Sequence, residues 1–321
     1  MEYRYFKNTK LKTSVIGLGG WPMGKGTYGS FNENEVIEAV HKAYELGITL
    51  FDTAPAYGWG AGEEIMGRAL KGKRLNCTIV DKGGIWWDPD KPTSLSSLQL
   101  NSSKETLIKG IEASLKRLQT DYIDVFLIHR PDESRPLSEP MEVLAKLKNE
   151  GKILYGGVSN FDVKQMEECL KIFPIVCNQV GYNLFDRRSE EEIFPFCKKN
   201  GLSTMAYGSL SYGLLTGTMT KETKFEADDW RGFYPDTFGR PIFQGEHFLH
   251  NLEIVEKLKK IASAQGKSAA QLAAAWVISN PIVTVALTGV RKPSEIEENA
   301  VAGDWKLTRD VKAQIDKAFA V

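Results

Sequence analysis

Along this chain, short apolar runs alternate with longer stretches in which apolar residues recur every three or four positions. Residues 3–6 and 11–14 alternate in polarity around a polar turn at 7–10 and predict a hairpin ahead of the main fold. Residues 15–18 form an apolar run that enters a glycine-rich loop at 19–30. Asn32 is placed to cap a helix over 33–46, and Glu35 would complete a capping box with it. Val36, Ile37, Val40, Ala43 and Tyr44 supply that helix's apolar stripe, and Gly47 ends it. A strand over 48–53 follows, then a glycine-rich turn and a helix-like segment to Leu70.

The alternation continues to the C-terminus. Strands are predicted at 77–80, 123–128, 153–158, 175–177, 202–207 and 282–287. Helices are predicted at 103–118, at 138–149, from a cap at Asp162 to Lys171, at 190–199, 248–264 and 268–279, from Pro293, and at 309–319. A loop holding Trp86 and Trp87 and an aromatic loop at 211–247 are the long interruptions. After the hairpin this makes eight strand-then-helix units. Such alternation implies parallel pairing through right-handed crossovers. Eight units in 321 residues are what a (β/α)8 TIM barrel requires. The expected fold is therefore one α/β barrel domain over residues 1–321, with an N-terminal β-hairpin and an extra C-terminal helix. An open doubly wound sheet is the runner-up. It usually has fewer strands plus a second domain, and no Pro/Ser/Gly-rich linker divides this chain.

Composition narrows the function classes. Lys+Arg and Asp+Glu balance at 41 each, so no basic surplus drives binding to nucleic acid or to a membrane surface. The cysteines, Cys77, Cys169, Cys177 and Cys197, form no CxxC and have no His at zinc-finger spacing. They read as buried free thiols suited to a reducing cytoplasm. The N-terminal residues show no apolar signal core, and no run approaches a membrane span. Cytoplasmic location is expected.

In a barrel the strand C-termini open onto the face that carries the active site. The polar residues there are Asp52 and Tyr57, Lys82, His129, Ser159 and Asn160, Asn178 and Gln179, and Tyr207. Each alone has a plain structural role, as a turn cap, a half-buried ring or a solvated strand end. Together they put an acid, a phenol, an amine and an imidazole on one face. A phenol of pKa about 10 is a weak acid at neutral pH. A neighbouring ammonium lowers that value. A shift of ~3 units corresponds to roughly 4 kcal/mol, at about 1.36 kcal/mol per unit. Lys82 is the expected ammonium, Asp52 the carboxylate that keeps it charged, and His129 the group that orients a carbonyl oxygen. Tyr57 is then a general acid aimed at a carbonyl. The stretch Gly24–Gly29 matches GxGxxG, but its first glycine lies several residues past the strand end and its last precedes the cap at Asn32. That spacing argues against a Rossmann fingerprint. No HxH or comparable ligand set stands at a strand end, so no metal is expected.

The sequence resembles the aldo-keto reductases over nearly its whole length. The resemblance rests on SVIGLGG (14–20), FDTAPAYG (51–58) with EEIMGRAL (63–70), DYIDVFLIH (121–129), GKILYGGVSNF (151–161), NQVGYN (178–183), AYGSLSYGLLTG (206–217) and TGVRKPSEIEENA (288–300). It implies a barrel that binds NADP(H) or NAD(H) without a Rossmann fold and moves a hydride between nicotinamide and an aldehyde or ketone. It assigns the catalytic tetrad to Asp52, Tyr57, Lys82 and His129. It further implies carboxamide contacts at Ser159, Asn160 and Gln179, and nicotinamide stacking on Tyr207. Backbone contacts to the pyrophosphate fall at Leu210 and Tyr212, and the adenosine segment at Gly289, Arg291, Glu295, Glu298 and Asn299.

Departures from the family pattern raise specific questions. Tyr207-Gly208-Ser209-Leu210 stands where members often read Tyr-Ser-Pro-Leu. Asp81 precedes Lys82, and only strand alternation would turn it away from the ammonium. Gly289 stands where some members carry a lysine for the 2′-phosphate. Arg291 and Lys292 favour NADP(H), the preferred expectation, whereas Glu295 favours NAD(H), its rival. Trp21 and Trp86 are the expected walls of an aromatic pocket for a sugar-like or aromatic carbonyl substrate. The alternative function is a cofactor-binding regulatory or interaction subunit, as in barrel subunits of ion channels. The complete tetrad favours an enzyme.

Overall fold

Eight of the apolar runs pair into one parallel sheet that closes on itself. The strands are β1 (Ile16–Gly19), β2 (Leu50–Asp52), β3 (Thr78–Gly83), β4 (Ile123–Ile128), β5 (Ile153–Ser159), β6 (Cys177–Gly181), β7 (Ser203–Tyr207) and β8 (Val283–Gly289), neighbours in chain order. Closure is made by β8 against β1, with Ala286 beside Ile16 and Thr288 beside Leu18. The structure is a computed structural model. It describes every residue except Lys25, Thr27, residues 89–93, Pro235 and Val321. Two positions of the GxGxxG stretch, Lys25 and Thr27, thus lie outside the described residues. Its first glycine has a packing role. A Cβ on Gly24 would sit 2.4 Å from the Gly58 nitrogen, so this loop lies directly against the turn that carries Tyr57.

Helices α1 (Glu33–Glu45), α2 (Ala61–Ala69), α3 (Lys104–Leu118), α4 (Ser138–Asn149), α5 (Val163–Ile172) and α6 (Ile193–Asn200) follow the first six strands. Helices α7 (Gly245–Ser263) and α8 (Ala269–Ile278) follow β7. α9 (Pro293–Ala300) and the extra C-terminal α10 (Arg309–Phe319) follow β8. Capping boxes start α5, at Asp162 and Gln165, and α8, at Ser268 and Gln271. At α1 only half of the expected box is recorded: Asn32 accepts from the N–H groups of Asn34 and Glu35.

Strand alternation divides the apolar side chains into two cores. Leu50, Val80, Val125, Leu127, Cys177, Met205, Val285 and Leu287 fill the barrel, with Phe6 of the hairpin inserted among them. Phe51, Ile79 and Phe126 belong instead to the layer between strands and helices. The hairpin, Tyr3–Tyr5 with Lys12–Ser14, plugs the end where the strands begin, and the Lys7 N–H donates to Ser203 Oγ at 2.7 Å. The strand C-termini stay open.

Element limits differ from expectation mainly at that open end. β3 continues to Gly83 and β6 to Gly181. Lys82, Asn178 and Gln179 therefore lie within strands rather than beyond them. Lys82 and Gln179 are tolerated there because both donate to Asp52, and Asn178 because its amide donates to the Phe161 carbonyl at 2.9 Å. The loop after β3 also carries an unforeseen two-stranded pair, Ile85–Trp86 with Gln99–Leu100.

Candidate active site

The strand C-termini open into a cavity of about 1030 Å³, the upper end of the ~300–1,000 Å³ usual for small-molecule sites. Its lining includes Asp52, Tyr57 and His129, and also Gly289, Arg291, Glu295, Glu298 and Asn299. Ser159, Asn160, Gln179, Tyr207, Leu210 and Tyr212 line it as well.

Lys82 sits behind this wall. The alternation that points Val80 into the barrel points Lys82 the same way, and its side chain is fully buried. Its Nζ donates to Asp52 Oδ1 at 2.7 Å and to the Thr53 carbonyl at 2.9 Å. It also lies 4.8 Å from the Tyr57 ring centroid. The His129 ring meets Tyr57 edge to face, with centroids 5.9 Å apart.

Burial and charge compete at each group. Burial alone would lower the pKa of Lys82, but the charge of Asp52 and the interaction with the Tyr57 oxygen outweigh it and the ammonium is held well above its ordinary range. Burial pushes Asp52 up, opposed by Lys82 and by its bond from Gln179. The Tyr57 phenol is pushed up to about 12, by burial first; Lys82 pulls it down and Asp52 adds to the rise. The expectation that Lys82 makes this phenol acidic is therefore corrected. Removing a phenolate from water costs more here than one ammonium restores. His129 is held well below its ordinary value, by burial first and then by the charges of Lys82 and Arg130. It is a neutral imidazole at pH 7.

A second network ties this acid cluster to β5 and β6. Asp52 Oδ2 accepts from Gln179 Nε2 at 2.7 Å, and the Gln179 carbonyl accepts from Ser159 Oγ and the Asn160 N–H, each at 3.0 Å. Asn160 has φ +63°. Its amide donates to the His129 carbonyl at 3.2 Å and to Ser159 Oγ at 3.0 Å, while its Oδ1 accepts from the Tyr207 hydroxyl at 2.8 Å. These bonds assign both amide orientations. What they leave open is acceptor capacity: Gln179 Oε1, and one lone pair of Asn160 Oδ1. That suits a carboxamide NH₂.

The family departures acquire physical reasons. A Cβ on Gly208 (φ +64°) would lie 2.9 Å from the Tyr212 ring, which leaves no room for serine. The Ser209 hydroxyl donates to the Ala206 carbonyl at 3.1 Å. A Cβ on Gly289 would meet Pro22 Cγ at 2.5 Å, so a lysine there would displace the β1–α1 loop. Glu295 accepts from the Arg291 N–H at 2.7 Å, and Arg291 Nη1 donates to the Tyr28 carbonyl at 3.0 Å. Asp81 faces the helical layer. It is fully buried, and neither carboxyl oxygen makes a well-formed hydrogen bond among the described residues. Burial, and then the charge of nearby Glu63, raise its pKa well above the carboxylate range.

Trp21 lines the cavity and is the hub of an aromatic cluster. It stacks on Trp230 at 5.3 Å and on Tyr57 at 6.4 Å. Trp86 is not brought to the site. It is 39% exposed on the short strand after β3, and its neighbour Ile85 faces the cavity instead. Alternation in a two-residue strand reverses the assignment. Among the lining residues that sequence reasoning passed over are Arg130 and Phe238. Arg130 was signalled only by its place after His129. Nothing in the sequence marked Phe238.

A closed barrel whose mouth holds a buried Lys–Asp pair behind a phenol, a neutral imidazole and a large cavity defines a carbonyl-active barrel oxidoreductase. The chain belongs to the aldo/keto reductase family, whose sequence model matches residues 15–320. It is 40% identical over 319 residues to Aldo-keto reductase YhdN of Bacillus subtilis (strain 168), covering 98% of this chain and 93% of that protein. It is 32% identical over 326 residues to the NADH-specific methylglyoxal reductase of Escherichia coli (strain K12), covering 97% and 96%. Among solved structures, a glycerol dehydrogenase from Gluconobacter oxydans matches with TM-score 0.87 at 34% identity, covering 99% of this chain and 95% of that one. The protein is thus an NAD(P)-dependent oxidoreductase acting on small carbonyl or alcohol substrates.

Proposed function

We propose that the protein reduces short aldehydes or ketones with NADP(H), and runs the reverse oxidation of the alcohols, with Tyr57 as general acid and base. The observation that carries this is the Tyr57 phenol held beside a fully charged, buried Lys82 and edge to face with a neutral His129. The cofactor supplies or accepts the hydride. Everything else is asked of the chain. Tyr57 donates its proton to the carbonyl oxygen. Its high pKa keeps that proton in place until the oxygen becomes basic, and Lys82 then stabilises the phenolate as it forms. Asp52 keeps Lys82 charged and oriented. Neutral His129 offers an N–H to the same oxygen.

The residues fit the cofactor. Gln179 and Asn160 keep acceptors for a carboxamide, and Tyr207 offers a ring face on the cavity wall. Leu210 and Tyr212 would hold the pyrophosphate. Arg291, Glu295, Glu298 and Asn299 would hold the adenosine end, beside Gly289. Lys292, exposed at the cavity rim, supports the 2′-phosphate of NADP(H). The NADH-specific relative and Glu295 support the rival NAD(H). Names such as methylglyoxal reductase and glycerol dehydrogenase support short, oxygen-rich substrates. The four buried free thiols support a reducing, cytoplasmic setting. The test is turnover of a carbonyl panel with each cofactor, in wild type and Tyr57→Phe. Loss of roughly 100- to 10,000-fold in kcat is expected on removing the acid. Unchanged turnover in Tyr57→Phe would exclude the assignment, and faster turnover with NADH would exclude the NADP(H) preference.

A further inference from the structure

Arg130 follows His129 at the end of β4, lines the cavity and is half-buried. Its guanidinium lies over the Phe238 ring, 5.4 Å from the centroid. It has no carboxylate and no hydrogen-bond acceptor among the described residues. This sets it apart. Every other arginine donates to a carboxylate or a carbonyl, except Arg240, which pairs with the Asp186 carboxylate at 3.8 Å, and Arg309, which is exposed at the start of α10. A half-buried guanidinium normally finds such a partner, because desolvating its N–H groups without one is costly.

The platform beneath it is itself constrained. Phe238 has φ +53°, a conformation that bulky residues rarely adopt. Its carbonyl accepts from Arg188 Nη2 at 2.9 Å, and Arg188 is gripped by both oxygens of Asp186. The chain thus holds a ring in a strained place and sets an uncompensated fork of donors on it, next to the imidazole that faces the reacting oxygen. The acids on this side of the cavity are already engaged. Asp52 bonds Lys82 and Gln179, and Asp236 accepts the Gly239 N–H at 2.8 Å.

We infer that Arg130 is a specificity-determining residue that selects carbonyl substrates carrying an oxyanion, a phosphate or a carboxylate, a short chain away from the reacting carbon. This rests on the reductase reading of the same site and narrows its substrate class. A planar fork matches both oxyanions bidentately, and Phe238 holds it in place before the ligand arrives.

The test compares matched substrates: glyceraldehyde 3-phosphate against glyceraldehyde, and succinic semialdehyde against butanal. Wild type, Arg130→Met and Arg130→Lys are assayed, with the KM for cofactor measured in each. Wild type should favour the anionic member of at least one pair in kcat/KM. Arg130→Met should reduce that anionic-to-neutral ratio by roughly 10- to 100-fold, the range of a hydrogen-bonded charge. Arg130→Lys, which keeps the charge but not the fork, should fall between. The pair that responds tells phosphate from carboxylate. Equal use of neutral and anionic members by wild type would overturn the inference while leaving the reductase reading intact. So would a ratio unmoved in Arg130→Met, including the case where only the cofactor KM rises. Failure of wild type to reduce any carbonyl with either cofactor would overturn the reductase reading, and this inference with it.

Discussion

Tyr57 and Asp81 carry opposite lessons about a buried titratable group. Tyr57 is kept protonated, with its pKa at about 12, because burial outweighs Lys82. Reduction uses that neutral form and should be nearly flat from about pH 6 to pH 9. Oxidation needs the phenolate, so its kcat/KM should climb with pH over the same window without a plateau. Paired pH–rate profiles check this, and an oxidation plateau near pH 7 would show a phenol more acidic than burial allows. Asp81 is also raised, but it serves no reacting atom. A carboxyl whose folded pKa exceeds its unfolded value binds its proton more tightly in the folded state. Its stabilising contribution is full below about pH 4, the unfolded value, and is lost as pH rises through the folded pKa. Asp81→Asn should therefore match wild type near pH 4 and exceed it near pH 8, by on the order of 1–3 kcal/mol. Thermal melts at both values decide it. A variant less stable at pH 8 would mean that the carboxylate has a favourable role.

At the scale of elements, glycines separate packing from propensity. Gly67 lies inside α2, where a Cβ would meet the Arg117 carbonyl oxygen at 2.5 Å and the Leu118 backbone at 2.8 Å. Gly110 lies inside α3 with nothing within 4 Å of such a Cβ. Helix propensity favours alanine at both by up to about 1 kcal/mol. Gly110→Ala should gain roughly that much. Gly67→Ala should lose about 1–3 kcal/mol, because backbone must give way where α2 crosses α3. Urea unfolding of both variants tests the contrast, and equal effects would contradict the close crossing. The same distinction explains what was legible in the sequence. Strands such as β4, apolar apart from Asp124, announced themselves by pattern. β3 and β6 were read too short because their last residues, Lys82, Asn178 and Gln179, are polar. A one-dimensional pattern counts a buried lysine as an end, although Asp52 makes it an interior residue. The tetrad was legible because its members sit at or just beyond strand ends. The bond from Gln179 to Asp52 was not, since it spans 127 positions and needs the barrel closed. Trp86 was misread because its two-residue strand takes its direction from the Gln99–Leu100 partner strand rather than from its own sequence.

The whole molecule is a rigid barrel with two loops meeting over its open end. The β1–α1 loop brings Trp21, Tyr28 and Ser30, and the β7–α7 loop brings Glu226, Trp230 and Arg231. Trp21 stacks on Trp230 at 5.3 Å, and the Arg231 guanidinium lies 4.9 Å over the Tyr28 ring. Glu226 accepts from both the Ser30 N–H, at 3.0 Å, and its hydroxyl, at 3.1 Å. The stacked rings are buried or nearly so, whereas the Glu226 bonds are exposed and form the latch between the loops. Were the proposed cofactor to lie in the cavity, two loops latched over the open end would slow its release. Glu226→Ala removes two charge-assisted bonds without touching the cavity wall, whose lining does not include Glu226. Exposed bonds of this kind are worth about 1 kcal/mol, or roughly fivefold in a rate. Stopped-flow dissociation of reduced cofactor should therefore be ~3- to 10-fold faster in Glu226→Ala. If release limits turnover, kcat should rise with it rather than fall. An unchanged dissociation rate would mean that the aromatic stack alone holds the loops together.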